Sequence, residues 1–325
     1  MKLTLTLFLF VSAFFGRAQT WEQTNGPYGG DVRCIVVNSE QHLYIGTQGG
    51  GVLKSTDNGN TWFSVNNGIT SKDVWAITVN ASDHIFAGTM GGGVFRSIDN
   101  GASWTQINNG LDWPFMNSLV VNSSGHIFTG TVEGGGIYRS TDNGDNWTLV
   151  TNGLTNTYVP ALAVNAGDTL YAGTWGSGMF RSIDNGDNWE QINNGLTATA
   201  IVSLNINDNG DVFAGTDFGA GIFRSTDNGD SWMSLPIATT NNVYAIVATG
   251  TGEMYAGTYG DGVFHSSNNG DTWTPANSGL TAQFVLALAV DNMNRVFAGT
   301  YFGGGAFRSN DGASWSEINV GLIAT

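Results

Sequence analysis

Short apolar stretches, rich in β-branched and aromatic side chains, recur along the chain between clusters of Gly, Asn, Asp and Ser. In one representative segment they run from Trp62 to Val65, Val74 to Val79, His84 to Gly88 and Val94 to Ser97. Runs of this length bounded by turn formers predict four short strands. The whole pattern then begins again about 40 residues later, and it does so along the length of the chain.

The period is marked by tryptophan. Trp21, Trp62, Trp104, Trp147, Trp189, Trp232, Trp273 and Trp315 are separated by 41, 42, 43, 42, 43, 41 and 42 residues. Seven of them close the pattern S-x-D-x-G-x-x-W, as in Ser55-Thr56-Asp57-Asn58-Gly59 before Trp62 and Ser97-Ile98-Asp99-Asn100-Gly101 before Trp104, with like copies at Asp142, Asp184 and Asp227. Two copies drift: Asn268 replaces the aspartate in the sixth, and in the seventh Asp311 directly precedes Gly312, one residue short. The residue types are those a tight turn needs. A carboxylate there can accept backbone N–H groups two residues on, glycine supplies a positive φ, and an indole covers the hairpin. Four strands in a repeat of about 40 residues predict an all-β, seven-bladed β-propeller of four-stranded antiparallel blades, with this turn between the two outer strands of each. Eight Trp-led outer strands for seven inner sets leave one surplus. The ring is expected to close with either the Trp21 or the Trp315 strand completing the last blade.

These units resemble the Asp-box, or BNR, repeats of sialidases, sortilin-type receptors, xyloglucan-degrading hydrolases and photosystem II assembly-factor-like propellers, from Trp21 to Trp315. The resemblance implies the fold but no single function, because those families share the repeat and differ in activity.

Composition agrees with many short strands joined by turns: 47 Gly, 11 Trp and 18 Phe, with 11% charged residues. Residues 1–18 read as a secretory signal, with Lys2, an apolar run from Leu3 to Phe15, and Gly16 and Ala18 before the cleavage point. Residues 19–325 are then one propeller domain, soluble outside the cytoplasm, whether periplasmic, extracellular or at the cell surface. No later stretch is apolar enough to span a bilayer, so membrane insertion is not expected, and a monomer is. Removal of Lys2 and Arg17 leaves nine basic residues against 26 acidic ones, a net charge of −17. Such a balance repels phosphate backbones and argues against nucleic acid.

Comparison among the seven copies separates positions every blade needs from those free to vary. Lys54, Arg96, Arg139, Arg181, Arg224 and Arg308 share one column, with His265 in the remaining copy, and read as structural. The F/Y-R-I-P segment of sialidases is absent, so that activity is not expected. His42, His84 and His126 share another column on successive blades, read as solvated strand starts that cannot converge on one metal. Cys34 stands where the other copies have Ala or Ser, a small residue of the innermost strand, and a single cysteine forms no internal disulfide. The D-N-G-D strings lack the alternating oxygen ligands of a calcium loop. No metal or cofactor is implied.

The positions that do not repeat lie in two connections, the loop into the innermost strand and the hairpin between the second and third strands. In an up-and-down blade both emerge on the face opposite the S-x-D-x-G-x-x-W turns. They hold Trp75, Trp113, Phe115, Glu133, Tyr158, Trp175, Asp217, Phe218, Tyr259, Tyr301 and Phe302, which form the candidate ligand-binding set. Exposed aromatics beside carboxylates stack on sugar rings or hold peptide side chains. The leading expectation is a non-catalytic binding or scaffolding module for an extracellular glycan or protein. The alternative is a glycoside hydrolase. The stretch Gly215-Thr216-Asp217-Phe218-Gly219-Ala220-Gly221-Ile222-Phe223-Arg224 is similar to the hairpin that carries a catalytic aspartate in xyloglucan-degrading propeller hydrolases, and Glu133, Asp261 or Asp73 would then supply the second carboxylate. An assembly-factor role fits less well with so acidic a chain.

Overall fold

The computed structural model describes residues 30–132 and 134–322, which form seven four-stranded antiparallel sheets and no helix. Residues 1–18, expected as a signal segment, together with Trp21 and Glu133, lie outside the described residues. In the first blade the strands are β1 (Val32–Val37), β2 (Leu43–Thr47), β3 (Gly51–Ser55) and β4 (Phe63–Ser64), hydrogen-bonded in that order. The innermost strands of the later blades begin at Val74, Met116, Ala161, Ile201, Val243 and Val285.

Each blade is built from four consecutive strands, so the Trp315 strand completes the seventh blade on its own sheet. Among the described residues no strand is exchanged between the ends of the chain. Side chains and single backbone bonds close the ring instead. Trp62 N–H donates to the Val320 carbonyl at 2.8 Å and its indole N–H to the Ile318 carbonyl at 2.7 Å. Arg308 donates to the Asn58 carbonyl at 2.8 Å. These contacts recur at most of the internal seams, so the closing seam is built as they are; the exceptions are the indole bond at Trp273 and the cation bond at His265.

The second strand of every blade is buried on both faces, reading as a continuous apolar run such as Leu43–Thr47, because blades pack on either side of it. The outermost strands are two or three residues long. Short edges of this kind discourage edge-to-edge association. The repeated tryptophans are buried, and six of the seven donate their indole N–H to a carbonyl of the preceding blade, as Trp104 does to Val65 at 2.7 Å. The exception, Trp273, has no acceptor. The segment that precedes it departs from the repeat at Leu235-Pro236-Ile237, and Ile237 N–H takes the Leu235 carbonyl. Glycine is required where the chain runs under the next tryptophan. Gly68 has φ +95°, and a Cβ there would stand 2.1 Å from the Trp104 carbonyl oxygen.

The carboxylate accepts the N–H two residues on, as expected, in the shortened seventh turn, where Ala313 donates to Asp311 at 3.0 Å, but the full-length turns are organised differently. Ser55 Oγ, not the carboxylate, accepts the nearby backbone N–H groups, from Asp57 at 3.3 Å and Gly59 at 2.8 Å. The Asp57 carboxylate reaches further, accepting Thr61 N–H at 2.8 Å and Thr61 Oγ–H at 2.6 Å. A side chain at the turn's first position is close to the N–H groups two and four residues on, which leaves the aspartate facing the far end. In the sixth turn Asn268 Oδ1 accepts Thr272 N–H at 2.9 Å, so the geometry survives loss of the charge. Hydrogen bonds from Ser103, Asn146, Asn188 and Ser231, side chain first and backbone second, hold Asp99, Asp142, Asp184 and Asp227 below the usual carboxylate range. A carboxylate whose folded value is lowered adds stability above its unfolded value of about 4, and that contribution is lost as pH falls through the folded value. Chemical-denaturation midpoints should therefore stay level down to about pH 4 and fall below it. The sixth turn, with Asn268, is not part of that loss.

The arginine column joins blades. Arg96 donates to the Asn143 carbonyl at 2.7 Å and pairs with Asp145 at 2.8 Å, both in the next blade's turn. Arg139, Arg181 and Arg224 repeat this with Asn185 and Asp187, Asn228 and Asp230, and Asn269 and Asp271. The carbonyl belongs in each case to an asparagine with positive φ. The one shortened turn, at Asp311-Gly312, lacks that asparagine, and the column residue facing it is His265, which stacks on Tyr255 instead. The histidine column is half-buried rather than solvated. His84 and His126 lie 3.3 and 3.1 Å from the side chains of Asn143 and Asn185 in the following blade.

Candidate functional site

The antiparallel pairing places the start of each innermost strand beside the hairpin between the second and third strands, as Val32 pairs with Thr47. Both therefore open on one face, and the S-x-D-x-G-x-x-W turns on the other. At the centre of the first face is a concave pocket of about 460 Å³ at the mouth of the central channel. That volume lies within the range of small-molecule sites.

Two rings of residues line it. The inner ring is the second residue of each innermost strand or its equivalent: Arg33, Trp75, Asn117, Pro160, Val202, Tyr244 and Leu286. In six blades the ladder skips this residue, for example between Val32 and Cys34 and between Val243 and Ala245. A bulge leaves a residue unpaired and re-aims its side chain. In the fourth blade the position is Pro160, which has no N–H to pair. The outer ring follows the Gly-Thr dipeptide of each hairpin and contributes Trp175, Asp217, Tyr259 and Tyr301.

The two rings meet in an aromatic wall over the fourth to seventh blades. Trp175 is 39% exposed and lies between Tyr158 and Phe218, with ring centroids 5.6 and 5.7 Å away. Tyr259 contacts Tyr244 at 5.7 Å and Tyr301 at 6.4 Å. The Trp175 indole donates to Asp217 Oδ2 at 3.0 Å, and Asp217 Oδ1 accepts Phe218 N–H at 2.9 Å, so the carboxylate is fixed beside the largest ring. Burial raises the Tyr244 phenol above its usual range, with Asp217 acting in the same direction and Asn242 and Arg33 against it. Deeper in the channel, Cys34 points its thiol toward the Val74 carbonyl at 3.9 Å, and burial pushes that thiol up to about 12. A thiol so placed is not an activated nucleophile.

Of the residues expected from sequence, Trp75, Tyr158, Trp175, Asp217, Tyr259 and Tyr301 line the pocket together. Trp75 does so from the bulge within its strand rather than from the preceding loop. Phe218 and Phe302, 76% and 65% exposed, stand on its rim against Trp175 and Tyr301. Trp113 and Phe115 form a separate pair, with Trp113 covering Gly135 of the third blade's hairpin. Among the described lining residues Asp217 is the single carboxylate. Asp73 accepts the Trp75 indole N–H at 3.0 Å, and Asp261 is held by Thr239 and Asn241 at 2.6 and 2.8 Å. Sequence reasoning missed Arg33, Asn117, Pro160, Val202 and Leu286 as one ring. The available signal was a column with seven different residues, bracketed by one that is always apolar and one that is always small.

Residues 163–284 match the profile of the DUF6242 beta propeller domain. The GH74 xyloglucanase from Xanthomonas campestris superposes with a TM-score of 0.73 at 16% identity, covering 90% of this chain and 55% of that one. The extracellular domain of a protein described as a hybrid two component system from B. thetaiotaomicron gives 0.71 at 18%, covering 86% and 38%. YCF48 bound to D1 peptide gives 0.68 at 17%, covering 87% and 92%. No curated protein matches the chain. The chain thus spans about two fifths of the length of the B. thetaiotaomicron extracellular domain and just over half of the xyloglucanase's. At these identities the likeness is one of fold, and the fold is a seven-bladed propeller.

Proposed function

We propose that this chain is a secreted, non-catalytic binding propeller that engages an extracellular glycan or protein segment in the pocket at its channel mouth. The observation that carries the reading is the convergence of two non-repeating rings on one pocket, while the opposite face is spent on turns and inter-blade clamps. The non-repeating aromatic residues could have scattered, yet Tyr158 lies against Trp175, and Tyr244 and Tyr301 against Tyr259. On this reading the repeated turns are Asp boxes, residues 1–18 are an export signal, and residues 19–325 form one domain. Extracellular domains among the similar structures accord with an exported protein.

The experiment is a glycan array and pull-down with wild type and the joint Trp175→Ala, Tyr259→Ala, Tyr301→Ala variant. The variant is expected to lose every ligand the wild type holds, with its thermal transition kept. Ligands retained by the variant would remove the pocket as the site. Hydrolysis by wild type that disappears in Asp217→Asn would replace this reading with the glycosidase one.

A further inference from the structure

Resting on the pocket as the binding site, we infer that it selects an acidic sugar, one bearing a uronate-type carboxylate, and that Arg33 is the residue that selects it. The observation is how differently this arginine is used from the rest. Arg96, Arg139, Arg181 and Arg224 each bind a backbone carbonyl and a carboxylate of the next blade, Arg308 binds Asn58 and Asn60, and Arg295 pairs with Asp291. Arg33 binds neither a carboxylate nor a backbone carbonyl among the described residues. Its guanidinium lies 4.7 Å from the Trp75 ring centroid and 4.5 Å from that of Tyr301, with the Gln48 side chain as hydrogen-bond partner.

Two aromatic rings flank the guanidinium, and Gln48 takes one of its Nη groups, which leaves the other Nη without an acceptor among the described residues and available to a ligand. A planar, permanently charged fork matches a carboxylate with two parallel hydrogen bonds. The chain as a whole carries a net charge of −15 and repels anions at long range. An anion that binds must therefore be held locally by a pre-organised cation, and Arg33 is the one cation among the described lining residues. A sugar is favoured over a peptide terminus by the opposite wall. Trp175 offers a partly exposed ring to stack on a pyranose, and Asp217, fixed beside it, offers acceptor oxygens to hydroxyl groups. A bare peptide carboxylate would use the arginine and leave Asp217 as an unmatched like charge.

The test is calorimetric titration of the full chain with an oligogalacturonate, with the same oligosaccharide as its methyl ester, and with a peptide of free C-terminal carboxylate. The acid form is expected to bind at least tenfold more tightly than the ester. Arg33→Gln should remove that preference, so that acid and ester bind with equal affinity, and a thermal transition kept at the wild-type temperature separates lost charge recognition from a damaged fold. Equal affinity for acid and ester overturns carboxylate selection while leaving the pocket as a sugar site. Binding of the peptide in preference to both sugars overturns the sugar assignment. Failure of the acid form to bind at millimolar concentration overturns the inference, and the array result with the triple variant then decides separately whether the pocket binds anything.

Discussion

Trp147→Ala is expected to lower the stability of the ring by about 3–5 kcal/mol, the cost of truncating a buried tryptophan. Trp147 is 5% exposed and belongs to the cluster of Phe86, Val94, Ile107 and Tyr138 that glues the second blade to the third. Its indole N–H donates to the Ile107 carbonyl at 2.7 Å and its backbone N–H to Asn109 at 2.9 Å. Truncation opens a cavity and strands a buried carbonyl in the seam at once. Thermal denaturation reads this as a fall of roughly 5–15 °C. A second comparison isolates the hydrogen bond. Trp147→Phe removes a partner from Ile107, whereas Trp273→Phe removes none, because that indole has no acceptor. The first should cost about 1 kcal/mol more than the second. Equal costs would mean that the indole bond between blades contributes nothing.

The second large effect is on binding and has the opposite relation to stability. Trp175→Ala should weaken ligand binding by about 2 kcal/mol or more, roughly thirtyfold, since a large central aromatic is the usual hot spot of a recognition surface. The fold should lose little, because the ring is 39% exposed and stands on the mouth of the channel. Phe218 sharpens the contrast. It has φ +58° and is followed by Gly219 at +72°, and Phe302 repeats this at +56° before Gly303. A bulky residue in the left-handed region is uncommon and costs on the order of 1–2 kcal/mol, while asparagine tolerates it. On the proposed reading, the strain at these exposed rim phenylalanines is kept for contact with the ligand. Phe218→Asn should accordingly raise stability by about 0.5–1 kcal/mol and weaken binding. Unchanged affinity in Phe218→Asn would remove the rim from the site.

The propeller was legible because seven copies repeat one message. A single S-x-D-x-G-x-x-W segment reads only as a turn, whereas tryptophans recurring at intervals of 41 to 43 residues set blade size and number. The pocket-bearing face was legible in part, since Trp175, Asp217, Tyr259 and Tyr301 directly follow Gly-Thr in their hairpins. The inner ring was not, for a physical reason. Strand alternation assigns neighbouring residues to opposite faces, and a bulge breaks that period at Arg33, Asn117 and Val202. The partners of Arg96, Arg139, Arg181 and Arg224 were hidden because they lie 45 to 49 residues away on the next blade, across a seam that only the folded chain creates. Even there the sequence carried a trace, in the pairing of one histidine, His265, with the one shortened turn at Asp311. The role of Ser55 in the turn was obscured by the more conspicuous charge two residues later.

The most direct test of the pocket as the binding site is amide hydrogen exchange of the full chain with and without a ligand found on the array. Protection is predicted in the hairpins at 174–178, 216–221, 258–262 and 300–305 and at the bulges beside Arg33 and Tyr244, with the turns at 55–62, 97–104 and their counterparts unchanged. Protection confined to those turns, or to the short outermost strands, would contradict it.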